Sequence, residues 1–163
     1  PPALRLVALG QPDDLPAGEL ASDIVDRHER ALRQALPTAS ARFDERTAAG
    51  WFQGKLSFPV VAPGFADPDV RLLGGGLTDV RGQDAAYLGY DVGGRRMSVI
   101  VLPAGTAQLE GTPVAIGDRT VQVLSRGWAT AVVLERNGLV YALVSGAGDV
   151  SPEHLLRLAG RIE

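Results

Sequence analysis

The chain contains no cysteine, which removes disulfides, thiolate zinc sites and a cysteine nucleophile together. It has only two histidines, so imidazole catalysis and nitrogen-based metal binding have few residues to draw on. Lysine is nearly absent: of 16 basic residues Lys55 alone is a lysine, and the net charge is −3. With no basic cluster interleaved with aromatics, the chain lacks the electrostatic footprint of a nucleic-acid binder. Long hydrophobic runs are missing too. No apolar stretch approaches the ~20 residues needed to cross a bilayer, and no signal-peptide pattern is present. The chain starts Pro1-Pro2 rather than with methionine, which leads us to expect a piece cut from a longer protein, with any membrane segment lying upstream.

What remains is a 163-residue chain that is 45% hydrophobic, enough for one domain with an ordinary core and too apolar for disorder over most of its length. Residues 1–17 hold Pro1, Pro2, Pro12 and Pro16 with Gly10 and Asp13-Asp14. They read as a linker or tether, with a short extended piece at Leu4–Leu9. A single domain is expected over residues 18–163. Glu19 to Leu36 reads as a helix, because Leu20, Ile24, Ala31, Leu32, Ala35 and Leu36 recur on one stripe, and Pro37 stops it. Asp44 or Thr47 is placed to cap a short second helix running to Phe52 and ending at Gly54.

From Phe58 the pattern turns to β. The expected strands are Arg71–Leu73, Leu77–Arg81, Ala85–Val92, Arg96–Leu102, Thr112–Ile116, Thr120–Leu124, Trp128–Arg136 and Leu139–Ser145, each bounded by turn residues. Asn137-Gly138 is the strongest hairpin signal, since a type I′ turn needs positive φ at both central positions; Gly93-Gly94 and Gly117-Asp118 are secondary ones. Ala86, Leu88, Tyr90 and Val92 share one strand face, as do Trp128, Thr130, Val132 and Leu134. Met97, Val99, Ile100, Val101 and Leu102 are apolar on both faces, the mark of a central strand. Ser151-Pro152-Glu153 opens a final helix with a cap, a proline and a first-turn acid, and Leu155, Leu158 or Ala159, and Ile162 form its buried stripe. The fold class expected is α+β: a curved antiparallel meander of about six to eight strands, with N-terminal helices and a C-terminal helix packed on it.

Chemistry-bearing patterns are sparse. Ser22, Ser40, Ser57, Ser98, Ser125, Ser145 and Ser151 are available with His28 and His154 as bases, yet none sits in a Gly-x-Ser-x-Gly elbow. Ser145-Gly146 ends a strand without the preceding glycine. Both histidines read as structural or solvated. His28 and Glu29 are adjacent on a helix and diverge, so they do not converge on zinc. Asp67-Pro68-Asp69 and Asp13-Asp14 lack the ligand alternation of a calcium loop. Gly74-Gly75-Gly76 leads into a strand rather than a helix, so it reads as a bulge or bend and not as a phosphate loop. Trp51 and Phe52 read as anchors that fix the short helix on the sheet. We assign no catalytic, cofactor or metal residue.

The succession of motifs resembles the extracytoplasmic domain of membrane-bound bacterial anti-sigma factors. It is carried by Asp23-Ile24-Val25-Asp26-Arg27-His28 with Leu32 and Leu36, then Trp51-Phe52-Gln53-Gly54-Lys55-Leu56 and Phe58-Pro59-Val60-Val61. It continues through Leu72-Leu73-Gly74-Gly75-Gly76-Leu77, Ala85-Ala86-Tyr87-Leu88-Gly89-Tyr90 and Met97 to Pro103, and ends with Gly127-Trp128 and Gly138-Leu139-Val140-Tyr141-Ala142-Leu143-Val144-Ser145. The chain departs from the family pattern at Gly76, where arginine is common, at Leu102, where tryptophan is common, and at Val133 or Leu134, which replaces a second tryptophan.

The resemblance implies a non-enzymatic sensory and regulatory domain on the periplasmic side of the inner membrane, part of a single-pass protein in a stress-response pathway. Such proteins hold a sigma factor through a cytoplasmic zinc-containing region, which this cysteine-free segment lacks. A periplasmic protein or protease is the implied partner outside, and no cofactor is implied. The alternatives are a stand-alone periplasmic or secreted ligand-binding module, with an apolar ligand on the concave side of the sheet, and a hydrolase whose polar groups converge only in three dimensions.

Overall fold

A computed structural model describes residues 22–28, 41–65, 67–104, 111–126, 128–146 and 148–162. The expected tether, the strand at Leu4–Leu9, Asp13-Asp14, and the parts of the first helix before residue 22 and after His28 lie outside the described residues. Residues 22–28 are helical (α1). They are followed by β1 (Ala41–Arg42), α2 (Ala48–Phe52), β2 (Val70–Val80), β3 (Gln83–Val92), β4 (Arg95–Pro103), β5 (Thr112–Ile116), β6 (Arg119–Arg126), β7 (Ala129–Arg136), β8 (Leu139–Gly146) and α3 (Pro152–Arg161).

The strands form one antiparallel sheet in the order β1-β2-β3-β4-β8-β7-β6-β5, seven substantial strands plus the two-residue β1. The α+β class with a curved, open antiparallel sheet therefore holds. Two meanders compose it. After β4 the chain reappears at the far edge as β5 and returns strand by strand until β8 closes against β4. Short turns enforce the antiparallel pairing. Asn137 and Gly138 both have positive φ, 56° and 81°, as a type I′ hairpin requires. Arg81-Gly82 makes the β2–β3 turn in the same way, at 53° and 81°, although arginine gives no turn signal in the sequence.

Two expected strands, Arg71–Leu73 and Leu77–Arg81, are one continuous β2 of 11 residues. The glycine triplet does not separate them but lies within the strand, beside a register shift between Leu72 and Gly74. A side chain at Gly75 would place its Cβ 1.9 Å from the Tyr87 carbonyl oxygen, so the close approach of β3 demands glycine there. Residues 58–65 and 67–69 are irregular rather than extended pairing, and Trp128 is a turn residue preceding β7.

Both faces of the sheet's central strands are buried. On the first, Ala86, Leu88, Tyr90 and Val92 of β3 join Met97, Val99 and Val101 of β4, covered by Phe52 of α2, Val60 and Phe65 of the irregular segment, and Leu155, Leu158, Ala159 and Ile162 at α3. On the second, Ile100, Leu102, Ala131, Val133, Val140, Ala142 and Val144 form a separate cluster with Ile24 of α1. Every residue of β8 is buried, so β4 and β8 are the doubly covered centre that their unbroken apolar runs require.

Helix ends follow their chemistry. The Ser151 hydroxyl accepts from His154 N–H at 3.2 Å, Pro152 stands at the first helical position and Glu153 in the first turn. Arg119 donates to the Ala159 carbonyl at 2.9 Å near the C-terminal end. At α2 the two candidate caps divide the work: Thr47 is the N-cap residue without a side-chain cap bond, while Asp44 accepts from Arg46 and Thr47 N–H. The bonds from Thr47, then from Arg46, hold the Asp44 carboxyl below its ordinary range. Phe52 is fully buried, Trp51 partly so, and both rings meet Phe43, Trp51 tilted and Phe52 edge-on.

Candidate functional site

Nucleophilic chemistry needs a base beside a hydroxyl and open to substrate. Among the described residues one histidine lies beside a hydroxyl, but it is closed to solvent. His28 Nδ1 lies 2.5 Å from Ser98 Oγ, because α1 crosses the second face above β4, where Ser98 takes the place of an apolar residue. Sequence reasoning placed His28 on an ordinary helix face; it is 0% exposed, and Ser98 is 2% exposed. Both are packed between helix and sheet, so the geometry is that of a tie rather than of an accessible nucleophile. The helix has further ties at its rim. Arg27 bridges Asp26 at 2.7 Å and the Asp79 carboxylate at 3.3 Å, and donates to the Asp79 carbonyl at 2.8 Å. The Asp23 carboxylate accepts from Arg81 N–H in the β2–β3 turn at 2.8 Å.

The other serines and acids are dispersed. Ser145 is buried, donating to the Arg96 carbonyl at 2.8 Å and accepting from Val150 N–H at 3.0 Å, which clamps the end of β8 to β4 and to the start of α3. Ser57, Ser125 and Ser151 are exposed, Ser22 is half-buried, and Ser40 lies outside the described residues. Asp67 closes a turn by accepting from Asp69 N–H and pairs with Arg161 at 3.5 Å. Among the described residues no group of three or more histidines and acids is placed to hold a metal ion. No helix among them is long and apolar enough to cross a membrane.

Two tyrosines titrate abnormally for a structural reason. Burial, with smaller contributions from Glu45 and Tyr141, raises Tyr90 well above the ordinary phenol range, and its hydroxyl donates to the Pro63 carbonyl at 3.3 Å. Burial also raises Tyr141, against the opposing charge of Arg136, and its hydroxyl donates to the Val61 carbonyl at 3.4 Å. Both pin the irregular segment onto the first face.

Two concavities are lined by described residues. A groove of about 280 Å³ beside α2 is lined by Ala49, Phe52, Gln53, Phe58, Pro59, Val60 and Val61; it is apolar and shallow. The larger, about 400 Å³, lies where β4 and β7 begin and β8 ends. Arg95, Trp128, Thr130, Ser145, Asp149 and Ser151 line it together with Gly146, Gly148, Val150 and Pro152. Trp128 is 42% exposed and rests on Gly146, where an added Cβ would fall 1.6 Å from Cζ3. It also meets His28, with ring centroids 6.1 Å apart. Arg95 Nη1 donates to the Gly148 and Asp149 carbonyls at 3.2 and 2.8 Å, holding the loop before α3. This cleft, the only one of the two with charged groups, was not legible in the sequence: its residues come from three strands and a loop, and Trp128 alone was a signal. Comparison of the chain with protein-family models, with curated proteins and with solved structures returns no match.

Proposed function

We propose that this chain is the extracytoplasmic sensory domain of a membrane-anchored anti-sigma factor, a non-enzymatic regulator on the periplasmic side of the membrane. The observation that carries the reading is the ordered succession of family-like motifs from Asp23 to Ser145. Its supports are physical. The histidine–hydroxyl pair found among the described residues is enclosed between α1 and the sheet, a placement suited to holding a helix and unsuited to turnover. The α1 segment is the described element that follows the proline-rich stretch in sequence, and it is held to the sheet by Ile24, His28 and a rim of ion pairs. A partner that favours the docked or the undocked helix would shift the balance between two states of the domain, and with it access to the tether.

The experiment is a reporter driven by the cognate sigma factor in cells carrying the full-length gene. Deleting residues 18–163 is expected to abolish the difference between stressed and unstressed expression. An unchanged response, or a gene without a ~20-residue apolar span upstream of Pro1, overturns the reading.

A further inference from the structure

We propose that the cleft at the end of the sheet binds a saccharide, with a pyranose ring packed against the Trp128 indole and its hydroxyls shared among Asp149, Arg95 and Thr130. The argument starts from what the cleft offers. Trp128 supplies partly exposed apolar area, and its seat on Gly146 leaves no room for another side chain beneath it. Around it stand an acid, a base and a hydroxyl. Both recorded bonds of the Arg95 side chain run through Nη1, which leaves the Nε and Nη2 hydrogens for other acceptors. Among the described residues, the Asp149 carboxylate and the Thr130 hydroxyl have no side-chain partner. Volume fits as well: about 400 Å³ falls within the usual span for small-molecule sites.

The chemistry then narrows the ligand. An anion meets Asp149 and a cation meets Arg95, so the balanced pair favours a neutral molecule. A wholly apolar ligand would strip water from these groups without replacing their hydrogen bonds, which is costly. An extended peptide adds to a sheet edge, whereas this cleft lies at strand ends. A nucleic-acid strand needs a run of basic charge, and here there is one arginine. A sugar ring meets the remaining conditions, since one face presents C–H bonds to an aromatic surface and the rim presents hydroxyls that both donate and accept.

The inference supplies a ligand class to the regulatory reading but stands apart from it, since binding is measured on the purified chain and regulation in cells. Cellotetraose, maltotetraose and chitotetraose are titrated into the Trp51→Phe protein, in which Trp128 is the only remaining tryptophan. A saturable blue shift of emission is expected with at least one of them. Asp149→Asn should weaken that binding about tenfold, the effect of losing a charged hydrogen bond, and Trp128→Ala should abolish the calorimetric signal. Thermal melts check that Trp128→Ala is folded; Asp149→Asn, at a half-exposed loop position, keeps the test informative if it is not. No shift with any of the three sugars overturns the proposal, as does parental affinity in Asp149→Asn.

Discussion

Single side chains decide much of the local order around the end of β8. Ser145 satisfies the Arg96 carbonyl and the Val150 N–H at once, and the site is buried. Ser145→Ala would leave both groups without a partner at about 1–3 kcal/mol each. We therefore expect a loss of about 2–6 kcal/mol in urea unfolding; a change near zero would show that water takes over both bonds. One position further on, Gly146→Ala is expected to displace Trp128, because an added methyl falls 1.6 Å from one ring atom and 2.2 Å from another. In a Trp51→Phe background, emission should move to the red; an unmoved spectrum would mean that the backbone yields instead. At this scale the sequence reading succeeded where chemistry is local, as with Asn137-Gly138. It read His28 as structural or solvated without its partner, since a lone histidine on a helical repeat carries no mark of the Ser98 hydroxyl waiting 70 residues on.

Helices and hairpins show how far periodic signals reach. The stripe of α3 was readable because Leu155, Leu158, Ala159 and Ile162 repeat at helical spacing, and all four are buried. Ser151→Ala should cost about 1 kcal/mol through loss of the cap, and Leu155→Ala about 2–5 kcal/mol through an unfilled cavity. Chemical denaturation separates the two, and equal values would contradict the depth assigned to Leu155. The glycine triplet misled in one respect: it reads as a boundary between two strands, yet β2 runs through it. Pairing with β3 outweighs the entropic cost of glycine, and the Tyr87 carbonyl fills the space a side chain would need.

For the whole molecule, the two buried phenols link stability to alkaline pH. Both have raised folded values, so the unfolded chain releases their protons first as pH climbs past about 10. Stability from this source is complete below that point and is lost as pH rises through the folded values. Equilibrium unfolding should weaken progressively above pH 10, and Tyr90→Phe should lessen the slope; an identical slope in the variant would remove Tyr90 from the account. Neutral and mildly acidic conditions leave this contribution intact.

Composition and periodicity were sufficient for the α+β class, the Asn137-Gly138 hairpin, the central position of β4 and the frame of α3, because each depends on residues close together in the chain. Three arrangements had no such local cause: the closure of β8 against β4, which joins two meanders into one sheet; the fastening of α1 over the second face; and the cleft that gathers Arg95, Trp128, Thr130 and Asp149. Each depends on contacts between segments far apart in sequence, where packing and burial choose among pairings that local pattern leaves equally open.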